Sequence, residues 1–323
     1  MPQCRNRILL VGQLYQDTIL HVGRFPDQDT KIRAKDVQQR TGGNTCNTAK
    51  VLAQFGDINV CYMSAAGSRE SSSHIFESLQ EQHIETNGTI IYRKDKMLPF
   101  SVIIHNEESG SRTIVSSNDL PDLTCEEFVQ VFTKINKHNQ WWVHFEGRNI
   151  DETVKQIDWL DRKASEERWR NDLTISVEVE KPERENIDLL IERGDVVFFS
   201  KLYAQHHQFT DALSFLSESP LLQLKLKPSA IAFCTDGSKG ASALYNQTKQ
   251  AYQTIPPFME KVVDTVGAGD TFNAGIILHL SQNTLQIEDA LKFACRLATR
   301  KVAQQGFEHL VTNCSDHDTS LDA

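Results

Sequence analysis

The chain has 323 residues and a formal net charge of −9, from 34 basic and 43 acidic side chains. A chain of this length buries a sizeable core, in one large domain or in two smaller ones. The acidic balance argues against a nucleic-acid binder, which would carry a basic face. It does not exclude a nucleotide, because a helix amino end, an arginine or a bound Mg²⁺ supplies local positive charge.

Short apolar runs alternate with helical patterns along most of the chain. The predicted strands are 8–11, 60–64, 142–146, 173–179, 196–200 and 231–234. The predicted helices are 44–55, 73–81, 125–137, 152–167, 210–216, 268–280 and 287–303. Nearly continuous apolar strands suit a parallel sheet that is covered on both faces. The alternation therefore predicts an α/β fold with a mostly parallel, doubly wound sheet and helices on both faces.

Two segments, 17–40 and 98–116, interrupt this rhythm with alternating stretches and no helix between them. The stretches 18–22, 31–34, 100–105 and 112–115 are the predicted strands there. We expect them to form a small β-sheet lid, from about 13–40 and 96–118, within one domain that spans 1–310. An exposed apolar lid face favours a homodimer. The alternative is an ordinary surface hairpin.

The remaining composition points to a cytoplasmic protein. Seven cysteines lack metal-ligand or redox spacing, which is typical of reduced thiols. No apolar run approaches the length needed to span a membrane, so no membrane partner is expected. Residues 311–323 are polar and acidic, and this tail is predicted to be disordered.

The segment 263–272 carries the most information about function. Gly267, Ala268 and Gly269 precede a run that reads as a buried helix, and Asp270 follows them. Bare amides at a helix start bind a transferring phosphoryl group, and an adjacent acid accepts a proton from an attacking hydroxyl. The helix field predicts that Asp270 stays ionised. This pattern predicts a small-molecule kinase; the alternatives are a turn without a ligand and an Asp270 that caps the helix.

Other glycine motifs do not fit the sequence. It contains no G-x-x-x-x-G-K-[ST] run, so a Walker-type NTPase is not predicted. Phe272 stands where a dinucleotide-binding motif would carry its third glycine.

Residues 264–270 resemble the second signature of the ribokinase-like (PfkB) carbohydrate kinases, and residues 42–47 resemble the first. Segments 106–114, 144–149, 177–182 and 305–307 resemble the ketohexokinase branch of that family. The resemblance implies a Rossmann-like domain with a β lid, lids that pair into a dimer, and ATP with Mg²⁺ (and K⁺) as cofactors. It implies phosphorylation of a ketohexose, D-fructose, on its 1-hydroxyl. A kinase for ribose or a nucleoside, a catalytically silent sensor and a dimeric scaffold remain alternatives.

Site residues follow from the resemblance position by position. Asp270 would be the catalytic base, and the sugar would be bound by Asp17, Gly43, Asn44, Asn47 and Asp270. Carboxylates and carboxamides offer the directed hydrogen bonds that a polyol requires. The alternative is that Asn44 caps a helix and that Asn47 is an exposed first-turn residue.

The nucleotide would be bound by Arg112, Gly237, Ser238, Lys239, Gly240, Gly267, Ala268 and Gly269. A surface arginine and a plain β-turn are the alternatives for Arg112 and for the loop 237–240. Metal ligands are not identified, because the region that matches the family's N-x-x-E motif reads Ser200-Lys201-Leu202-Tyr203. Glu178 and Glu180 are candidates to orient metal-bound water.

Overall fold

The computed structural model describes residues 7–109, 111–135, 141–282 and 285–311. Its strands are β1 Arg7–Val11, β2 Tyr15–Val22, β3 Asp36–Gly42, β4 Asn59–Ala66, β5 Ile84–Glu85, β6 Ile90–Tyr92, β7 Phe100–Asn106, β8 Arg112–Ser117, β9 Trp141–Phe145, β10 Leu173–Val179, β11 Val196–Phe199, β12 Ile231–Thr235, β13 Ala241–Tyr245 and β14 Gln250–Thr254. Its α-helices are α1 Asn44–Leu52, α2 Arg69–Glu81, α3 Cys125–Phe132, α4 Ile150–Glu166, α5 Lys201–His206, α6 Ala212–Glu218, α7 Pro220–Lys225, α8 Ala268–Gln282 and α9 Ile287–Val302.

The larger sheet has the strand order β14-β13-β12-β11-β10-β9-β1-β4-β5, and β6 also pairs with β4. The strands from β12 to β5 are parallel, whereas β13 and β14 add an antiparallel edge. Because parallel strands end at the same edge of a sheet, the loops after β1, β9, β10, β11 and β12 meet there. Functional sites of open α/β sheets lie at this edge.

Helices cover both faces of the larger sheet. One apolar cluster joins it to α1, α2, α8 and α9, and a second cluster joins the opposite face to α3, α4, α5, α6 and α7. Every strand residue of β9 is buried, which is why its sequence is apolar without alternation except at His144. The predicted α/β fold with a doubly covered, mostly parallel sheet is confirmed.

A separate four-stranded sheet has the order β3-β2-β7-β8. It consists of two antiparallel ribbons, β2 with β3 and β7 with β8, joined by the parallel pair β2 and β7. Asp17, Arg40, Ser101 and Ser116 lie side by side across it, so their side chains share one face. That this sheet acts as a lid stays a prediction.

Some sequence-based bounds were wrong. Residues 31–34, predicted as a strand, lie in an irregular loop, and the strand begins only at Asp36. The loop contains several acidic and turn-forming residues, and the short apolar alternation was insufficient to make a strand. Helices α5 and α7 were missed because six residues are too few to display a helical period. The tail 311–323, predicted to be disordered, lies outside the described residues except for Val311.

Candidate active site

The glycine turn and the start of α8 form an opening for an anion. Gly267 has φ 76°, a left-handed conformation that glycine adopts without strain. At Gly269 a side chain would meet nothing within 4 Å, so the backbone there faces open space. The first amides of a helix have no partner within the helix. The Ala268 amide donates to the Thr265 carbonyl oxygen at 3.3 Å, whereas the amides of Gly267 and Gly269 are available to phosphate oxygens.

Contacts with α9 hold this turn in place. The fully buried ammonium of Lys301 donates to the Asp264 carbonyl oxygen at 3.0 Å and to its carboxylate at 2.9 Å. The amide of Val266 donates to the same carboxylate at 3.0 Å. Burial raises the pKa of Asp264, but the hydrogen bonds from Lys301 and Val266 outweigh it and leave the pKa below its ordinary value. Phe307 packs where a Gly267 side chain would be.

Asp270 is buried in the first turn of α8. Its carboxylate accepts a hydrogen bond from Asn47 Nδ2 at 2.8 Å, and its carbonyl oxygen accepts one from the Thr48 hydroxyl at 3.2 Å. Burial raises the pKa of Asp270 well above its ordinary value, and the nearby carboxylate of Glu178 raises it further. The helix field alone would lower the pKa of this acid, but desolvation and the neighbouring acids act in the opposite direction and dominate.

The predicted sugar-binding residues line the same cavity as the glycine turn. This cavity has a volume of about 1410 Å³, and its lining includes Asp17, Gly43, Asn44, Asn47 and 264–270. Gly43 has φ 105°, and a side chain there would lie 2.2 Å from the Gln13 carbonyl oxygen. Glycine is thus required for α1 to begin so close to the end of β1. Burial raises the pKa of Asp17.

The two asparagines of α1 do not have the roles that the alternatives gave them. Helix α1 begins at Asn44 with no side-chain cap. Asn44 Nδ2 instead donates to Glu178 at 3.1 Å and to Glu180 at 2.7 Å. Asn47 is buried rather than exposed, and its Oδ1 has no hydrogen-bond partner within the described residues. A buried acceptor without a partner is costly unless a ligand satisfies it.

Sequence reasoning missed Arg40, which also lines the cavity. Its guanidinium lies 3.4 Å from the Asp264 carboxylate, and it lies opposite Asp17 in the small sheet. Arg40, Lys301 and Asp264 together carry one net positive charge beside the glycine turn, because one carboxylate faces two cations. No motif marks this arginine; only the pairing of β2 with β3 brings it to the site.

The structure does not bring every predicted nucleotide residue into the cavity. Gly237, Ser238, Lys239 and Gly240 are not among the residues that line it. They form a short 3-10 turn directly after β12, at the same sheet edge as Glu178 of β10. Arg112 begins β8, but its side chain lies outside the described residues. The assignment of these residues to the nucleotide stays a prediction.

Two further properties concern the described ranges only. No group of three or more His, Cys, Asp or Glu side chains there could hold a metal ion by itself. None of the helices in these ranges is long and apolar enough to cross a membrane.

Comparison with known proteins places the chain in a family. Residues 5–313 match the family described as pfkB family carbohydrate kinase. The chain belongs to this family. It is accordingly an ATP-dependent carbohydrate kinase with the ribokinase-like α/β fold. The predicted kinase class is confirmed, and the scaffold is set aside.

Members of the family that resemble this chain act on different sugars. It is 32% identical to ketohexokinase of Mus musculus over 308 residues, which cover 95% of this chain and 99% of the relative. It is 40% identical to ribokinase of Bacillus subtilis over 304 residues, which cover 93% and 94%. The structure of Arabidopsis thaliana ribokinase complexed with ribose and ATP aligns with a TM-score of 0.75 at 18% identity, covering 93% of both chains. This last likeness concerns the fold alone.

Proposed function

We propose that this carbohydrate kinase transfers the terminal phosphoryl group of ATP to a ketohexose, D-fructose, and produces fructose 1-phosphate. The observation that carries the proposal is the buried Asp270 carboxylate, which Asn47 holds at 2.8 Å where the glycine turn borders the cavity. The choice of a ketohexose is supported by 32% identity to a ketohexokinase over nearly all of both chains.

The sugar would lie between the small sheet and α1. Asp17, Asn44 and Asn47 each present a polar group to the cavity. Asn44 uses its amide nitrogen on two glutamates, so its carbonyl oxygen is left to accept from a sugar hydroxyl. Asn47 Oδ1 is a second acceptor without a partner in the described ranges. Several directed acceptors discriminate polyols, because a missing hydroxyl leaves buried polar groups unpaired.

Asp270 would act as the base. The acceptor hydroxyl loses its proton as the new O–P bond forms, and the bond from phosphorus to the leaving oxygen of ADP breaks. The proton goes to the Asp270 carboxylate. A raised pKa makes this carboxylate a stronger base than an ordinary aspartate, provided that it is ionised when the sugar arrives.

The phosphates would bind at the amides of Gly267, Ala268 and Gly269, with Arg40 and Arg112 as cations from the small sheet. The loop of Gly237, Ser238, Lys239 and Gly240 would contact the adenosine portion. Mg²⁺ would bind chiefly to the phosphates and to water, as it usually does in kinases. Glu180 lines the cavity and is suited to orient such water. K⁺ dependence is tested by replacing potassium salts with a bulky organic cation.

The protein would be a cytoplasmic homodimer that pairs through the small sheet. The face opposite Asp17 and Arg40 carries Leu20, Val37, Ile104, Val102 and Val115. Two of them, Val37 and Val115, are 54% and 63% exposed. An apolar sheet face of this kind favours association. The five cysteines of the described ranges are free, as in a reducing compartment.

Ribose is the second candidate substrate, because the chain is 40% identical to a ribokinase. The test is a panel of D-fructose, D-ribose, adenosine and 2-dehydro-3-deoxygluconate with ATP and Mg²⁺. We expect kcat/KM to be at least tenfold higher for fructose than for any other member, and ³¹P–¹³C couplings to place the phosphate on carbon 1. Faster turnover of ribose would reject the proposal in favour of a ribokinase.

The role of Asp270 is tested with Asp270→Asn against a matched control. General-base catalysis is worth about 10²–10⁴ in rate, so we expect kcat to fall by that factor while both ligands still bind. Asp289 is likewise the third residue of its helix but is exposed, and Asp289→Asn should behave like the wild type. If wild type and Asp270→Asn bind the ligands alike and neither turns over, the protein is a catalytically silent sensor.

A further inference from the structure

A string of buried polar side chains runs beneath the cavity along β9 and β10. Trp142 and His144 lie two residues apart on β9 and share one face, as do Ser176 and Glu178 on β10. His144 lies directly opposite Ser176. His144 and Ser176 are completely buried, and neither lines the cavity. The string lies on the sheet face whose apolar cluster contains Phe272 of α8.

Each hydrogen bond of this string has a defined donor and acceptor. Trp142 Nε1, which can only donate, lies 2.7 Å from Ser176 Oγ. His144 Nδ1 lies 2.8 Å from the same oxygen, and His144 Nε2 lies 3.2 Å from Glu178 Oε1. Because an ionised carboxylate only accepts, Nε2 must carry the hydrogen that faces Glu178. In the neutral imidazole the Ser176 hydroxyl then donates to Nδ1, and this tautomer satisfies every member of the string.

Glu178 connects the string to the cavity through its hydrogen bond with Asn44. Its Oε1 accepts from His144 and from Asn273 Nδ2 at 2.9 Å, and its Oε2 accepts from Asn44. With Oε1 fixed by two donors, the carboxylate plane has one orientation, and Oε2 faces Asn44. Together with Glu180, which accepts from the same nitrogen at 2.7 Å, Glu178 turns the Asn44 amide so that its oxygen is left for a ligand.

We propose that His144 is a positioning residue, which acts through Glu178 to fix the Asn44 amide for sugar binding. The inference rests on the proposed place of Asn44 in the sugar site. It assigns to a core histidine an effect on sugar affinity, not on nucleotide affinity. A purely structural histidine would instead affect stability and both substrates together, as buried polar networks often do.

The test compares His144→Phe, His144→Asn and His144→Gln in the full chain, with fructose and ATP as probes. Phe keeps the volume and loses both hydrogen bonds. Asn keeps a group near Ser176 but does not reach Glu178, whereas Gln places a donor near the position of Nε2. We expect the KM for fructose to rise at least tenfold with Phe and with Asn. The KM for ATP should stay within twofold, and Gln should recover most of the fructose affinity.

Two controls keep the outcomes apart. Asn246 is a buried, hydrogen-bonded asparagine at the end of β13, and Asn246→Ala should lower Tm without changing the fructose KM. Asn44→Ala should raise the fructose KM, and adding His144→Phe to it should raise it by less than twofold more. If Asn44→Ala has no effect, the sugar-site assignment fails and the inference with it. If only Asn44→Ala has an effect, or if Gln behaves like Phe, the inference alone is wrong.

Discussion

The Asp270 carboxyl lies where its negative charge is unfavourable. Burial and the carboxylates of Glu178, Glu180 and Glu146 all raise its pKa, and the hydrogen bond from Asn47 offsets them only in part. Such a site gives a catalytic base more proton affinity and costs the folded protein stability. The cost and the function therefore arise from the same neighbours.

Replacing Asp270 by Asn should stabilise the protein without ligands at alkaline pH. The folded-state pKa of this acid is raised, so the folded state holds its proton longer than the unfolded chain does, and stability falls as pH rises through that range. We expect Tm of Asp270→Asn at pH 8 to exceed that of the wild type, and the difference to shrink in acid. Thermal denaturation at both pH values measures this. An equal or lower Tm at pH 8 would contradict the raised pKa.

The pH dependence of turnover should report the same carboxyl. A base must be unprotonated, so kcat/KM for the sugar should fall as pH decreases, with a midpoint above the ordinary range of an aspartate. Glu180→Gln removes one negative neighbour and should move this midpoint to lower pH. Glu183→Gln, which changes an exposed residue in the following loop, should leave it in place. A midpoint unaffected by Glu180→Gln would show that another group controls the acid limb.

At the scale of the element, the start of α8 depends on its fit against the segment after α9. Gly267 is in a left-handed conformation, and a side chain there would lie 2.3 Å from the Phe307 ring. The substitution must therefore displace either the ring or the turn, and a displaced turn misaligns the amides that would bind phosphate.

Gly267→Ala should lower kcat/KM for ATP by at least tenfold. Gly88 is the matched control, because it has a similar φ of 75° and no atom within 4 Å of a new side chain. Gly88→Ala therefore imposes the same kind of backbone strain, about 1 kcal/mol, without the steric conflict. We expect it to lower Tm slightly and to keep full activity. Equal activity losses in the two variants would mean that strain, not the fit to Phe307, matters.

At the scale of the whole molecule, the small sheet has two different faces. One carries Asp17 and Arg40, which line the cavity, and the other carries the exposed Val37 and Val115. If the apolar face pairs with its copy, Val115→Lys should give a monomer by light scattering on a sizing column. Leu224→Lys changes an apolar side chain on α7 that is more exposed, 86% against 63%, and should leave the dimer intact. A wild type that is monomeric at micromolar concentration would contradict the proposed assembly.

The sequence by itself determined the parallel centre of the large sheet and the identity of the glycine turn, but not the edge strands β5, β6, β13 and β14. Residues such as those of β9 and β11 form apolar runs that only a doubly covered strand accommodates, and Gly267 to Asp270 form a contiguous motif. Both signals are local in sequence, so they could be read without coordinates. The resemblance supplied the expected partners of the motif at Asp17, Asn44 and Asn47, and the fold brought these residues to one cavity.

Only the tertiary structure decided what lies around those residues. Arg40 reaches the glycine turn because β3 pairs with β2, and His144 and Glu178 meet because β9 and β10 are neighbours in register. The elevated pKa of Asp270 likewise depends on burial and on acids that are about 90 and 120 residues away along the chain, whereas the helix start alone would shift this pKa downward. Desolvation and charge act through space, and a sequence pattern contains only neighbours along the chain.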